Sequence, residues 1–259
     1  MRRAGRALAR GFRLSYEYVG MVLVGSALWF LVGLVPLALT GAVALSAPSV
    51  ATVAAAAASF IALTSPAFVA VLSVHTRLLQ GEEVVVSQYV RAFGAWWSRS
   101  AALAAVELVA VVMLVVDILF FLRFEHPALR LVAGLWSWLL VFTAAVGTVA
   151  PALMVRTGRG VRTALGQAVL AVLDNPVATG LVLAATGAVT MVYAALAAPL
   201  LLLFAGTVAF VLAALVDELL RRYQVAAAAG EAGGPASTAG AGALDGGEPV
   251  DGGKAGEVR

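Results

Sequence analysis

Hydrophobic residues along the chain fall into six long runs, most of them separated by short segments that carry arginine. A membrane-spanning helix needs about 20 mostly apolar residues, with a range of roughly 17–25, and each run has that length. Lipid offers backbone amides no hydrogen-bond partner, so each run is predicted to be an α-helix. The last two runs are contiguous, and Pro199 is the expected break because proline is tolerated in the first turn of a helix. The predicted spans are residues 19–45, 51–74, 101–122, 131–155, 177–198 and 199–216.

The segments that precede each pair of spans show helical periodicity with one apolar face. Helices of this kind lie in the membrane interface, with arginine directed toward anionic lipid. One such helix and two spans would form a unit that occurs three times as a parallel repeat. The alternative is that unrelated hairpins carry basic segments between them. The apolar faces are Leu8, Phe12, Tyr16 and Val19, then Val86, Tyr89, Val90, Phe93, Trp96 and Trp97, then Val161, Leu165, Ala168, Val169 and Val172.

The distribution of arginine predicts how the chain is oriented. With the N-terminus inside, the inner segments carry thirteen arginines and the outer loops carry two. Cytoplasmic loops of membrane proteins have such an excess, so both termini are predicted to be cytoplasmic. Residues 1–224 form the predicted membrane domain. Residues 225–259 are rich in glycine, alanine and acidic residues, and this composition predicts a disordered tail.

Composition excludes a water-soluble domain. Hydrophobic residues make up 62% of the chain and charged residues 12%, whereas a soluble domain has roughly 45–50% and about 25%. The sequence therefore predicts an all-α, polytopic transmembrane helical bundle, whose main partner is the lipid bilayer. The absence of cysteine excludes disulfides and thiolate metal sites. The basic pI is explained by arginines that flank the spans, so no nucleic-acid partner is expected.

Glu107 and Asp117, both in the third predicted span, are the ionisable residues inside the spans. Such groups are costly in lipid and are candidates for a proton- or cation-responsive site. Two simpler interpretations remain open. Asp117 would lie near the outer interface, in reach of water, and Glu107 would be a carboxylic acid that is hydrogen-bonded to a neighbouring helix.

The sequence contains no motif that indicates a catalytic or metal site. His75 and His126 fall at opposite membrane faces in the predicted topology, have no partner histidine at ligand spacing, and are expected to be surface residues. A phosphate loop, a dinucleotide fingerprint and hydrolase motifs are missing from the sequence. No cofactor is expected, and an enzyme is not expected.

A series of short motifs, in a fixed order, resembles the YesL-like family of bacterial integral membrane proteins, a family of unknown function. Ser26 and Ser65 depart from the family pattern, which has asparagine and glycine there. The matching positions are Trp29, Pro66, Ala67, Arg77, Gly81, Glu82, Glu83, Tyr89, Phe93, Trp97, Asp117, Arg162, Asn175 and Pro176. The resemblance covers about residues 10–215 and implies a protein of the bacterial plasma membrane that accompanies carbohydrate ABC importers.

Three functions follow as hypotheses. The first is an accessory or regulatory component of carbohydrate ABC uptake that contacts a sugar permease. The second is a small independent transporter or channel that uses Glu107 and Asp117. The third is a structural protein that modulates lipid packing or assembly. The expected partner or lipid face consists of Phe93, Trp96, Trp97, Arg91 and Arg99.

Overall fold

The computed structural model describes residues 2–195 and 198–232. This part of the chain is helical, with two π-helical turns at Phe30–Leu34 and Phe60–Thr64, so the predicted all-α fold is confirmed. The α-helices are α1 (Arg2–Glu17), α2 (Val19–Trp29), α3 (Val35–Ser46), α4 (Val50–Ser59), α5 (Ser65–Leu79), α6 (Ser87–Leu122), α7 (Pro127–Thr157), α8 (Val161–Asp174), α9 (Pro176–Ala195) and α10 (Ala198–Ala232).

Five helical segments within the described residues are long and apolar enough to cross a membrane, which identifies a multi-pass membrane protein. They are Val19–Ser46, Val50–Leu79, Ser87–Leu122, Pro127–Thr157 and Leu203–Arg221. Helix α9 lies where the fifth of six spans is predicted but is not among these five. The fifth predicted span, residues 177–198, therefore stays a prediction. Pro199 is the second residue of α10.

The two π-helical turns lie at equivalent places in the first pair of spans. Each turn begins at a phenylalanine, Phe30 or Phe60, and each is followed by a proline six residues after it, Pro36 or Pro66. Proline has no N–H and its ring clashes with the preceding turn, so the helix widens there instead of continuing its regular ladder. The turns contact each other, and the Thr64 hydroxyl donates to a backbone carbonyl of the opposite turn at 2.9 Å.

Helix α6 is continuous over 36 residues, which corrects the prediction of a separate interfacial helix before the third span. Residues 98–100 include neither glycine nor proline, so nothing in the sequence ends the helix between the amphipathic segment and the apolar one. Tyr89, in the predicted interfacial segment, is buried, and its hydroxyl donates to the Met21 carbonyl at 3.0 Å. This end of α6 packs against protein.

The other two amphipathic helices bury different parts of their surface. Among the residues of α1 whose burial the structure describes, Gly11 and Ser15 are buried, whereas Phe12 and Tyr16, on the predicted apolar face, are exposed, so this face is free to contact lipid. In α8, Ala168 and Val172 of the predicted face are buried in the core. Helix α8 therefore turns its apolar face toward the protein. Asn175 separates α8 from α9, because a residue before proline is disfavoured in the helical conformation.

The apolar segment of α10, Leu203–Arg221, is the most buried of the five candidate spans. About 78% of this segment is buried, against 44% for α7, 39% for the α4–α5 span and 6% for α6. Glycines allow this close packing, because a Cβ on Gly206 would lie 2.9 Å from the backbone of Val22, and one on Gly11 would lie 2.9 Å from Val211. The Ser26 hydroxyl accepts a hydrogen bond from the Gly206 amide at 2.8 Å.

The compact membrane unit comprises Met1–Arg221, and Arg222–Arg259 forms a second unit. Helix α10 runs to Ala232, past residue 225, and the disordered tail stays a prediction. The remainder of the predicted tail, residues 233–259, lies outside the described residues.

Candidate functional site

Two neighbouring cavities open at the end of the bundle where arginines concentrate, and we call them together the arginine cleft. Their volumes are about 250 Å³ and 390 Å³, and they share Ser73, Arg77 and Trp96. Helices α5, α6 and α7 supply the walls. The polar and aromatic lining residues are Ser73, Thr76, Arg77, Gln80, Gln88, Arg91, Trp96 and Arg156.

Helical spacing on α5 explains one wall of the cleft. Ser73, Thr76, Arg77 and Gln80 follow the i, i+3, i+4, i+7 pattern, so they share one face of the helix. Of the four, Ser73 and Thr76 are buried, whereas Arg77 and Gln80 reach the surface. The wall therefore passes from hydroxyl groups on the inside to a guanidinium and an amide at the rim.

The turn between α5 and α6 fixes the orientation of Arg77. Gly81 has a φ of +81°, a conformation that side chains other than glycine rarely adopt. The chain reverses there, so that Arg77 Nε donates to Glu82 at 2.6 Å and its Nη1 donates to the Gln88 side chain at 3.1 Å. The Arg-Leu-Leu-Gln-Gly-Glu motif, residues 77–82, thus forms a turn that positions Arg77 at the rim of the cleft.

Arg156 connects the cleft to a second charged cluster that the sequence analysis missed. Asp217 on α10 accepts from Arg156 at 3.1 Å, and it also pairs with Arg10 at 3.4 Å and with Arg221 at 3.0 Å. The carboxylate is only 8% exposed. Arg156 Nε is buried and has no hydrogen-bond partner within the described residues. One donor of this guanidinium is therefore unsatisfied within the described residues.

Positive charge is in excess in and around the cleft. Among the described residues, five guanidinium groups line the cleft or join the Asp217 cluster, against the two carboxylates of Asp217 and Glu82. The arginines of this set are Arg10, Arg77, Arg91, Arg156 and Arg221. An unbalanced group of donors in a partly buried concave site attracts anions and holds them by charge-assisted hydrogen bonds.

The structure brings together some of the residues that the sequence analysis proposed. Arg77, Glu82, Arg91 and Trp96 meet at the cleft, and Gly81 shapes its turn. Arg99 lies beside them, with its guanidinium 5.6 Å from the centre of the Trp96 ring. It also donates a 3.1 Å hydrogen bond to the carbonyl of Gly158, the residue that follows α7.

Other proposed residues have separate surroundings. Trp29 and Phe93 line a third, apolar cavity of about 200 Å³ together with the α5 segment that follows Pro66. Trp97 is outside the cleft, where its indole N–H donates to the Ala62 carbonyl at 2.8 Å. Ala62 is four residues before Pro66, which has no N–H to donate to it. Asn175 and Pro176 form the junction of α8 and α9.

Glu107 faces α7 away from the cleft. A Cβ on Gly147 would lie 3.0 Å from its carboxyl carbon, and one carboxyl oxygen is buried without a hydrogen-bond partner among the described residues. Pro151, which has no N–H, follows Gly147 by four residues, so the Gly147 carbonyl loses its usual helical donor. Asp117 is half-buried, about 15 Å further along α6 at 1.5 Å per residue. The two carboxyl groups do not form one site.

The predicted surface position of His75 is wrong. Its ring is fully buried, with Nδ1 2.7 Å from the Val71 carbonyl and an edge contact to Phe210 at 4.4 Å between ring centres. His126 is exposed and caps the start of α7. In the parts of the chain that the structure describes, no group of three acidic or histidine side chains could hold a metal.

Comparison with protein-family models, curated protein sequences and solved structures finds no match to this chain.

Proposed function

We propose that this membrane protein is a non-enzymatic accessory or regulatory component of carbohydrate uptake, and that its arginine cleft binds an anionic ligand. In the predicted orientation, with both termini cytoplasmic in a bacterial plasma membrane, the cleft opens to the cytoplasm. The observation that carries the proposal is the cleft itself, in which Arg77 lines both cavities, Arg156 lines one and Arg91 lines the other.

The chemistry of the lining residues supports the binding of an anion in the cleft. Guanidinium, amide and hydroxyl groups donate hydrogen bonds, and arginine keeps its charge at any physiological pH. Arg77 is held by Glu82 and Gln88, and Arg156 by Asp217, so these donors are positioned before a ligand arrives. Preorganised donors lower the entropic cost of holding an anion.

The association with carbohydrate import is supported by the family resemblance of the sequence motifs. A sugar importer permease is the expected partner. The structure narrows the candidate contact surface, because Val90 and Trp97 on α6 are exposed, whereas Phe93 and Trp96 are half-buried against their own bundle.

Co-purification tests the accessory role. The tagged protein is purified from native membranes in mild detergent, and the proteins that accompany it are identified by mass spectrometry. A permease should accompany the wild type and be lost from Val90→Gln. Leu173→Gln is the matched control, since it changes an equally exposed apolar residue on α8. A protein that purifies alone, or equal recovery of the permease from both variants, contradicts the proposal.

A second candidate function is independent ion-coupled transport. Glu107 favours it, because a buried carboxyl oxygen without a partner in the described residues is a candidate proton-binding group inside a span. Reconstituted vesicles would then show proton-coupled solute flux that Glu107→Gln abolishes and Glu125→Gln, on the exposed loop before α7, leaves intact. Absence of flux with the wild-type protein counts against this function.

A further inference from the structure

We infer that the ligand of the arginine cleft carries a phosphate group. This inference rests on the proposed function, which assigns an anionic ligand to the cleft, and it specifies the chemical class of that ligand.

The directions from which the donors approach favour phosphate over carboxylate. Arg77 of α5 lines both cavities and is joined by Arg156 of α7 in one and by Arg91 of α6 in the other, so a ligand in either cavity meets arginines from two different helices. A carboxylate has two oxygens in one plane and suits one bidentate arginine. A phosphate group presents three oxygens arranged tetrahedrally, and it can accept hydrogen bonds from several directions at once.

Free donor capacity remains after the internal hydrogen bonds are counted. Arg156 Nη2 is used by Asp217, but its Nε is buried and unpartnered within the described part of the chain. Arg91 makes no ion pair there and is exposed at the rim. The guanidinium of Arg91 is therefore free to donate to a phosphate oxygen.

The size of the cleft indicates that the phosphate belongs to a larger molecule. Each cavity exceeds by several-fold the roughly 30 Å³ that a water molecule occupies, and the larger lies within the range of small-molecule pockets. Trp96 lines both cavities and offers an aromatic surface for the organic part. A soluble phosphate ester and a phospholipid headgroup share this chemistry, so the experiment has to distinguish the two.

The experiment uses the full-length protein in neutral detergent, with tryptophan fluorescence and thermal unfolding as readouts. In one series inorganic phosphate is titrated against acetate at equal ionic strength. In the other series the micelles contain phosphatidic acid or phosphatidylcholine. A soluble phosphate ester is indicated if inorganic phosphate, but not acetate, raises the unfolding temperature in a saturable way. A lipid headgroup is indicated if only phosphatidic acid does so.

The test variant is Arg91→Gln, because Arg91 makes no ion pair within the described residues and its loss should not disturb folding. Losing one hydrogen bond to a charged group should weaken phosphate binding at least about tenfold. Arg162→Gln, an exposed arginine on α8 outside the cleft, should leave it unchanged. The inference is overturned if neither phosphate probe binds, or if both variants lose affinity equally. Co-purification of the permease with a protein that binds no phosphate would overturn this inference and leave the accessory role standing.

Discussion

Replacement of Asp217 by asparagine should destabilise the bundle by about 1.5–5 kcal/mol. The change keeps the shape of the side chain but removes the negative charge that three arginines share. Arg10 and Arg221 are about half exposed, so each of their pairs contributes about 0–1 kcal/mol. Arg156 is only 32% exposed and meets a nearly buried carboxylate, so its charge-assisted hydrogen bond contributes about 1.5–3 kcal/mol.

The assay is equilibrium unfolding of the purified protein in mixed micelles of mild detergent and increasing dodecyl sulfate, followed by tryptophan fluorescence. The midpoint should fall while the slope of the transition stays constant, because the surface exposed on unfolding is unchanged. Glu218→Gln is the matched control, since Glu218 is the next residue on α10 and is only half-buried. The reasoning fails if Asp217→Asn unfolds within about 0.5 kcal/mol of wild type, the range typical of surface substitutions.

Two further substitutions test the packing of the bundle. Trp97→Phe removes the indole donor to the Ala62 carbonyl and should lower the free energy of unfolding by about 1 kcal/mol in the same assay. Trp138→Phe, on an exposed face of α7, is the control and should lower it by less than half of that amount. Equal losses of stability in the two variants would refute the role of the hydrogen bond. Gly206→Ala places a Cβ against the backbone of α2 and should cost at least about 1–3 kcal/mol from overpacking. Gly187→Ala, which has open space around it, should be neutral or stabilising, and the packing argument fails if Gly206→Ala is equally harmless.

Hydropathy predicted the long helices correctly because the membrane imposes one strong requirement on every residue of a span. The same reasoning fails where helix ends depend on local chemistry. The predicted break before the third span assumed that a change from polar to apolar residues ends a helix. Residues 98–100 carry no glycine or proline, so α6 continues through that change.

The candidate site could be predicted only in part. The motif from Arg77 to Glu82 is local, so a sequence reading can find it. Asp217 lies one residue beyond the last predicted span, so a search for charged residues inside the spans does not include it. Its partners Arg10 and Arg156 are 207 and 61 residues away in the chain, and no periodic pattern encodes such separations. The predicted surface position of His75 was wrong for a related reason, because the burial of its ring depends on Phe210 of a distant helix.

The length of α6 has a mechanical consequence for the cleft. Its 36 residues extend about 54 Å, whereas the hydrocarbon core of a bilayer is about 30 Å thick. The lipid-facing half and the half that carries Arg91 and Trp96 are therefore parts of one continuous helix. A membrane of different thickness changes the tilt of a long span. Because α6 is continuous, a change in its tilt also moves its Arg91 and Trp96 end, which forms the cleft wall opposite Ser73 and Arg77. Bilayer thickness is therefore expected to change the affinity of the cleft for its ligand, so that occupancy depends on the membrane as well as on ligand concentration.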